Sequence, residues 1–264
     1  MRPITPILVK LQLGLLPITL MNDMTKSALD KAEHRDIALG GKGVRPRDAA
    51  TLILLDRSGG SIKILMGRRH SRHAFMPGKF VFPGGRTDRA DAAIAVADDL
   101  HPLELAKLTS GRVTARRARS IALSALRETY EEAGLLIGRK GAFSVKSEDW
   151  RGFADHGVQP SLGSLRLVAR AITPPGRVRR FDTRFFAADR EDVTIILPDG
   201  GPTDELEEIV WLPLDEAKRA DIPTITKMVL ESLEERLSSD PDLAPGGPVP
   251  FYRLVGQRFV RDIL

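Results

Sequence analysis

The amino-acid sequence predicts an α+β sandwich, in which short strands are mixed with a few helices. Short apolar runs bounded by glycine and proline occur in both halves of the chain, as expected for strands. One long segment, residues 114–136, has apolar residues at helical spacing. Because strands and helices do not alternate regularly, the pattern favours an α+β sandwich over a regular βαβ fold.

Composition sets limits on the class of protein. The chain has 264 residues, 42% hydrophobic and 28% charged, which is typical of a globular domain with extensions. It contains no cysteine, which excludes disulfides, thiolate zinc sites and a cysteine nucleophile. The net charge of +5 is spread along the chain, so it gives little support to a nucleic-acid partner.

No apolar run approaches the roughly 20 residues that span a bilayer. Residues 11–21 are short and apolar, but Pro17 interrupts them and no small-residue cleavage site follows. Translation from Met21 or Met24 is an equally good explanation of this stretch. We therefore expect a cytoplasmic protein without a membrane partner.

The first half of the chain predicts a hairpin and a third strand. Apolar residues 50–55 and 62–66 flank the turn Ser58-Gly59-Gly60. Residues 79–82 form another predicted strand, which Pro83-Gly84-Gly85 ends.

The second half predicts strands at 165–172 and 183–188 around Pro174-Pro175-Gly176. A strand at 208–212 and helices at 214–220 and 224–237 follow. The predicted organisation is an N-terminal extension (1–44), one domain (45–237) interrupted by a segment with one or two short helices (86–113), and a C-terminal tail (238–264).

The segment with the clearest chemistry lies near the end of the long helix. Glu128, Glu131 and Glu132 are spaced i, i+3 and i+4, so a helix places them on one face, while Leu126 and Tyr130 point to the core. Three neighbouring carboxylates repel one another, and a hard divalent cation such as Mg²⁺ relieves that repulsion. The alternative is a solvated acidic face without function.

Two motifs together resemble the Nudix box. They are Phe82-Pro83-Gly84-Gly85 and the segment 127–135, which reads Arg-Glu-Thr-Tyr-Glu-Glu-Ala-Gly-Leu. The resemblance implies an α/β/α Nudix sandwich with a mixed β-sheet. It also implies that Glu128, Glu131 and Glu132 hold Mg²⁺, with Mn²⁺ as a substitute. The resemblance further implies that the carbonyl of Gly84 assists in binding the metal and that Arg127 braces the loop.

The spacing of the two motifs departs from the family pattern. Gly85 lies 42 positions before Arg127, instead of fourteen, so about 28 residues are inserted in the segment 86–113. Arg119 stands where the family has a glutamate, and Glu104 is our predicted partner for Arg127. The insertion is expected to cover the substrate or to meet a partner subunit.

A narrower resemblance concerns the substrate. The sequence looks like the nucleoside diphosphate-linked moiety X motif 19 group, coenzyme A diphosphatase-like Nudix enzymes, in residues 75–85, 126–134 and 180–186. Arg69, Gly78, Glu205, Glu208 and Trp211 belong to the same likeness. Ala74 stands where the coenzyme A signature has a basic residue, which Arg72 or His73 could replace. Coenzyme A or an acyl derivative is therefore the leading substrate.

The resemblance and the chemistry of diphosphates assign the candidate roles. A carboxylate must accept a proton from the attacking water, and Glu131 is the first candidate, with Glu205 the second. Glu128 and Glu132 are the direct metal ligands. The forked N–H donors of an arginine guanidinium fit the oxygens of a phosphate group, so we expect the substrate phosphates to bind near the basic residues. The predicted substrate-binding residues are Arg69, Phe82, Gly85, Arg180 and Arg184, with Arg177 and Arg179 in the same group of arginines.

Two other functions fit the same motifs. One is a non-catalytic nucleotide sensor with a Nudix fold, which the retained glutamates disfavour. The other is an RNA-end (cap) processing hydrolase, which predicts a continuous basic groove and strong salt dependence. Neither a zinc site nor a serine hydrolase is predicted, because the five histidines show no His-x-x-x-His spacing and no histidine accompanies Ser120 or Ser124. The expected partner is a nucleoside diphosphate derivative, with a homodimer left open.

Overall fold

The computed structural model describes residues 25–33, 39–41, 43–70 and 77–264. The predicted apolar stretch 11–21, both alternative start methionines, and Arg72, His73 and Ala74 lie outside these ranges. The helices are α1 (Lys26–Glu33), α2 (Pro102–Leu108), α3 (Ala115–Ala133), α4 (Arg151–Asp155), α5 (Leu214–Arg219) and α6 (Thr224–Ser239). The strands are β1 (Leu39–Gly41), β2 (Arg47–Asp56), β3 (Lys63–Arg69), β4 (Phe80–Val81), β5 (Gly84–Arg86), β6 (Leu135–Lys140), β7 (Val158–Pro160), β8 (Arg166–Ile172), β9 (Gly176–Arg177), β10 (Phe181–Asp189), β11 (Val193–Ile196), β12 (Leu206–Pro213), β13 (Pro250–Val255) and β14 (Arg258–Ile263).

The main sheet is mixed and runs in the order β12-β3-β2-β10-β8-β13-β14. Strand β2 pairs with β10 in parallel, and β8 pairs with β13 in parallel, whereas the other pairs along this order are antiparallel. Strand β2 pairs with β3 only next to their hairpin and gives the same edge to β5 at Ala49–Thr51. Strands β3 and β5 therefore share one edge of β2, with β5 near its start and β3 at its end.

Each face of the sheet carries its own apolar core, because successive side chains of a strand point to opposite faces. Leu52 and Leu54 of β2 pack with Ile121 and Leu126 of α3. The intervening residues of the strands pack on the other side with α1 and α6. Helices thus cover both faces, and the predicted α+β sandwich with a mixed sheet is confirmed.

A smaller sheet, β11-β6-β7, lies against one end of α3. The segment 86–113 joins it, since Ala97 N–H donates to Pro160 O at 2.8 Å and Leu162 N–H donates to Asp98 O at 2.9 Å. This segment contains a 3₁₀ turn, Ala90–Ala93, and α2, in agreement with the predicted short helices. Ile94, Leu100 and Leu108 are buried, so the insertion is part of the core.

The terminal segments also join the fold. Residues 250–263 of the predicted tail form β13 and β14 of the main sheet, and α1 of the predicted extension buries Leu29 against the same core as α6. The described helices include none that is both long and apolar enough to cross a membrane.

Candidate active site on helix α3

Helix α3 begins and ends at capping residues that its sequence supplies. The Thr114 side chain accepts a hydrogen bond from Arg117 N–H at 3.2 Å, as an N-cap residue does. Gly134 ends the helix with φ of 69°, a left-handed conformation that glycine adopts without steric cost. The predicted helix at 114–136 is confirmed, except that Leu135 and Leu136 start β6.

The last turns of α3 bring Glu128, Glu131 and Glu132, here called the glutamate cluster, to strand β5. Gly84 N–H donates to Glu132 Oε2 at 3.0 Å. A Cβ atom on Gly85 would lie 2.5 Å from both carboxylate oxygens of Glu128, so only glycine leaves room for that carboxylate. The structure therefore brings the Pro-Gly-Gly motif and the glutamates together despite the longer spacing between them.

Arg127 is buried beside the cluster and contacts carboxylates on both sides. Its Nη1 lies 2.9 Å from Glu128 Oε1 and 2.9 Å from Glu131 Oε2. Its Nε donates to Asp91 Oδ1 at 3.0 Å, and its Nη2 donates to Arg86 O at 2.9 Å. Arg127 thus links the insertion, β5 and the glutamates.

The predicted pairing of Arg127 with Glu104 was wrong. Glu104 is fully buried elsewhere, where it accepts hydrogen bonds from Leu167 N–H at 2.9 Å and Gly246 N–H at 2.8 Å. Asp91 is the partner of Arg127 instead, because the 3₁₀ turn of the insertion folds back onto α3. Arg119, which stands at the family's glutamate position, pairs with Asp99 at 3.1 Å.

The electrostatics of the cluster favour a bound cation. Burial raises the pKa of Glu128 to about 7, although the Arg127 charge opposes the shift. Burial also raises the pKa of Glu131, and it raises that of Glu132 well above the ordinary range, with the Glu128 charge adding to the effect. One arginine does not balance three desolvated carboxylates, and that excess charge is a feature of functional sites.

A loop at residues 197–205 completes the site. Thr203 donates to Glu131 O from its N–H at 3.0 Å and from its hydroxyl at 2.8 Å, which holds the end of α3. Glu205 follows, with Oε2 3.6 Å from Arg69 Nη2, and its charge raises the pKa values of Glu128 and Glu132 further. Sequence reasoning missed Thr203, since only the turn-forming Gly200-Gly201-Pro202 marks this loop.

Comparison with solved structures gives the family context of this geometry. A NUDIX hydrolase from Alicyclobacillus acidocaldarius has a TM-score of 0.55 and 27% sequence identity, over 74% of this chain and 97% of that one. The NUDIX domain of Shewanella oneidensis NrtR, solved with ADP ribose, matches with a TM-score of 0.43 and 12% identity, over 74% and 90%. A C. elegans Ap4A hydrolase matches at 0.40 and 14%, over 73% and 98%. No protein-family model matches the chain, and neither does any curated protein.

The first of these matches agrees with the glutamate motif and with the sandwich. The chain has the fold of a Nudix hydrolase. The similarity extends over nearly the whole Alicyclobacillus protein, at 97% of its chain.

Arg69 and Gly85 are the predicted substrate-binding residues that lie at the glutamate cluster. Arg69 is the last residue of β3. Its N–H donates to Lys79 O, and its carbonyl accepts from Gly78 N–H, both in the segment that leads into β4. Arg69 Nη2 lies 3.6 Å from Glu205 Oε2, and the charge of Arg69 partly opposes the rise in the pKa of Glu132 that burial causes. Arg69 Nε is buried and has no hydrogen-bond partner within the described ranges.

Phe82 and the later arginines lie elsewhere. Phe82 is buried in the core on the α6 side of the sheet. Arg180 donates to Thr173 O at 2.9 Å and Val44 O at 2.7 Å. Arg177 is buried and pairs with Asp30 at 2.6 Å, and Arg179 is exposed.

Arg184 belongs to a second group of charges, near the beginning of α3. It is buried, with Nη1 2.9 Å from Asp48 Oδ1 and 3.2 Å from Asp182 Oδ1. The group, here called the arginine cluster, consists of Arg117, Arg170, Arg184, Asp48 and Asp182. Arg117 precedes Glu128 by eleven residues, which is about 16 Å along a helix.

The donor set at the glutamate cluster fits a hard divalent cation. It offers carboxylate oxygens, which Mg²⁺ prefers, in a partly desolvated site with an excess of negative charge. In the part of the chain that the structure describes, no three acidic or histidine side chains converge on one point that could hold an ion. Glu128 and Glu131 turn to Arg127, and Glu132 turns to Gly84. A cation would therefore compete with Arg127 for two of the three carboxylates.

Proposed function

We propose that the chain is a Mg²⁺-dependent pyrophosphohydrolase that cleaves the diphosphate bond of a nucleoside diphosphate derivative. The observation that carries the proposal is the glutamate cluster. Its three carboxylates lie on one face of α3, are desolvated, and pack against the glycine pair of β5. The alternative, a solvated acidic face without function, does not account for carboxylates with raised pKa values next to a buried arginine.

The roles follow from the placement of each carboxylate. When bound, the metal would neutralise phosphate charge and lower the pKa of a water. Glu128 and Glu132 are the proposed direct ligands, since they lie deepest and face β5. Glu131 is the proposed base, because its side chain is more exposed, at 22%, than that of Glu128, at 14%, and can meet water.

Glu205 is the second candidate base, and its position agrees with that role. Its carboxylate lies beside Arg69 and is close enough to the glutamates to raise their pKa values. The side chain is about half exposed, so it can accept a proton and release it to solvent.

Coenzyme A or an acyl derivative is the proposed leading substrate, on the basis of the sequence resemblance. Arg69 supports a substrate with phosphates, because it lies beside the glutamates with a buried Nε that no described group satisfies. Phe82, Arg180 and Arg184 are not part of this proposal, because the fold uses them away from the cluster. A cytoplasmic location remains part of the proposal, as the sequence suggested.

The test is product release from a panel of diphosphates, with Mg²⁺ and with chelator. The panel contains coenzyme A, an acyl derivative, NADH, ADP-ribose, nucleoside triphosphates and capped RNA. We expect metal-dependent cleavage of coenzyme A. In Glu131→Gln, kcat should fall by about 10²–10⁴-fold, the usual contribution of a general base. The matched control is Glu216→Gln, an exposed glutamate on α5, which should cleave like the wild type.

Other outcomes decide between the alternatives. Cleavage of another member of the panel would keep the reaction and change the substrate. Salt-sensitive cleavage of capped RNA alone would favour RNA-end processing. If nothing is cleaved while a nucleotide still binds, the chain is a sensor and the proposed reaction is refuted.

A further inference from the structure

Asp91 is a buried carboxylate in the insertion whose two oxygens are both in use. Its side chain is completely buried, and its Oδ1 accepts from Arg127 Nε at 3.0 Å and from Trp150 Nε1 at 2.9 Å. Its Oδ2 accepts from Asp88 N–H at 2.8 Å and from Arg127 Nη2 at 3.4 Å. Aspartate is rarely buried to this extent unless it is paired, so the fold specifies this contact.

The other end of the Arg127 guanidinium faces the glutamates. Nη1 lies 2.9 Å from Glu128 Oε1 and 2.9 Å from Glu131 Oε2. Nε and Nη2 are held by Asp91 and by the carbonyl of Arg86. The planar guanidinium has a fixed fork of donors, so anchoring one edge fixes the direction of the other.

We infer that Asp91 is a positioning residue: it holds Arg127 in place and offsets its charge, which leaves Glu128 and Glu131 available to a cation. The inference deepens the proposed function, on which it rests for the identity of the site. It also gives the insertion a role, since the insertion supplies the carboxylate that fixes the arginine of the site.

The expected effect follows from charge balance. With asparagine at position 91, Arg127 stays charged and buried, and its nearest carboxylates are Glu128 and Glu131. Asp88 Oδ2 is more distant, at 4.0 Å. Arg127 would then hold the two glutamates more tightly, and a cation would have to displace a stronger ion pair. Residues that orient metal ligands typically change metal affinity by 10–100-fold when they are substituted.

The experiment measures Mn²⁺ binding to the full chain by electron paramagnetic resonance, without substrate. We expect Asp91→Asn to bind Mn²⁺ at least tenfold more weakly than the wild type. In a background of Arg127→Gln, adding Asp91→Asn should change the affinity by less than twofold, because Asp91 acts through Arg127. Equal losses in both backgrounds would overturn the inference, and so would an unchanged affinity of Asp91→Asn.

Trp150→Phe is the control for a purely structural role. It removes the indole donor to Asp91 but leaves the Asp91–Arg127 contact, so it should lower Tm and leave Mn²⁺ affinity within twofold. A tenfold loss in Trp150→Phe would mean that general loosening explains the effect, which would overturn the inference. If Asp91→Asn shows no cooperative unfolding, Asp91→Ser replaces it in both backgrounds with the same expectations, since it also removes the negative charge at position 91.

These outcomes separate the two proposals. A wild type that binds Mn²⁺ but cleaves no diphosphate in the panel refutes the proposed reaction and leaves the comparison of Asp91 variants intact. A wild type that cleaves coenzyme A with unchanged Mn²⁺ affinity in Asp91→Asn refutes only the positioning role. A wild type that binds no Mn²⁺ overturns the inference.

Discussion

The arginine cluster and the glutamate cluster lie near opposite ends of α3, and they differ in the ratio of arginines to carboxylates. In the arginine cluster, three guanidinium groups accompany two carboxylates. At the other end, the single guanidinium of Arg127 contacts Asp91, Glu128 and Glu131, with Glu132 close by. The first arrangement favours ionised acids, and the second does not.

The pKa values of the acids show this contrast. Burial tends to raise the pKa of Asp48, but hydrogen bonding to Arg117 and the charge of Arg184 outweigh it, so the pKa is lowered. Burial raises the pKa of Glu128 to about 7, and Arg127 only partly opposes the rise. A cluster whose carboxylates are all paired with arginines supports the fold, whereas a cluster that lacks positive charge is suited to a cation from outside.

The largest expected effect is on stability, at the arginine cluster. Asp48→Asn removes the carboxylate that contacts Arg117 and Arg184 and leaves Arg184 buried with Asp182 alone. We expect a loss of about 3 kcal/mol in the free energy of unfolding, the lower end of the range for breaking a buried pair. Urea unfolding measures it. A loss below about 1 kcal/mol would show that this cluster does not support the fold.

The next effect is on function with little loss of stability, at the glutamate cluster. In Gly85→Ala the new methyl group displaces the Glu128 carboxylate, the flexible end of a side chain, so Tm should change little. Metal affinity should fall about 10–100-fold, or about 1.4–2.7 kcal/mol. Gly59→Ala, whose Cβ has no atom within 4 Å, is the matched control. Unchanged Mn²⁺ affinity in Gly85→Ala would refute the assignment of Glu128 as a ligand.

The smallest effect is the pH dependence of the metal-free protein. Glutamates whose pKa is raised by folding stabilise the fold below their ordinary pKa of 4.5, and this contribution is lost as pH rises through the folded pKa, about 7 for Glu128. In chelator, Tm should therefore fall between pH 5 and pH 8. The Tm of Glu128→Gln should fall less over that pH range, whereas the Tm of Glu216→Gln should change as that of the wild type does. Parallel pH profiles for wild type and Glu128→Gln would contradict the raised pKa.

Local sequence was sufficient to predict α3 and the face of α3 that carries the glutamate cluster. The periodic apolar residues are a local signal, and the spacing of the glutamates fixes their common face. The β2–β3 hairpin and the strands β8, β10 and β12 were predicted for the same reason. Strands β6, β7 and β11 were missed because they are three to six residues long and packing against α3 stabilises them.

The contacts that complete the site could not be predicted, because they join residues far apart in sequence. Asp91 reaches Arg127 across 36 positions, and nothing in its own neighbourhood distinguishes it from Asp88 or Asp98. The role of the later arginines depends on tertiary structure in the same way. Arg184 faces Asp48 because β10 pairs in parallel with β2, a long-range register that local sequence does not contain.

The most direct test of the central claim, that the glutamate cluster is a cation site, is calorimetric titration of Mn²⁺ into three proteins. They are the wild type, the double variant Glu128→Gln/Glu132→Gln, and Glu216→Gln as the control. The account predicts binding by the wild type and the control, and a loss of more than tenfold in affinity in the double variant. Equal Mn²⁺ affinity in all three proteins would contradict the account.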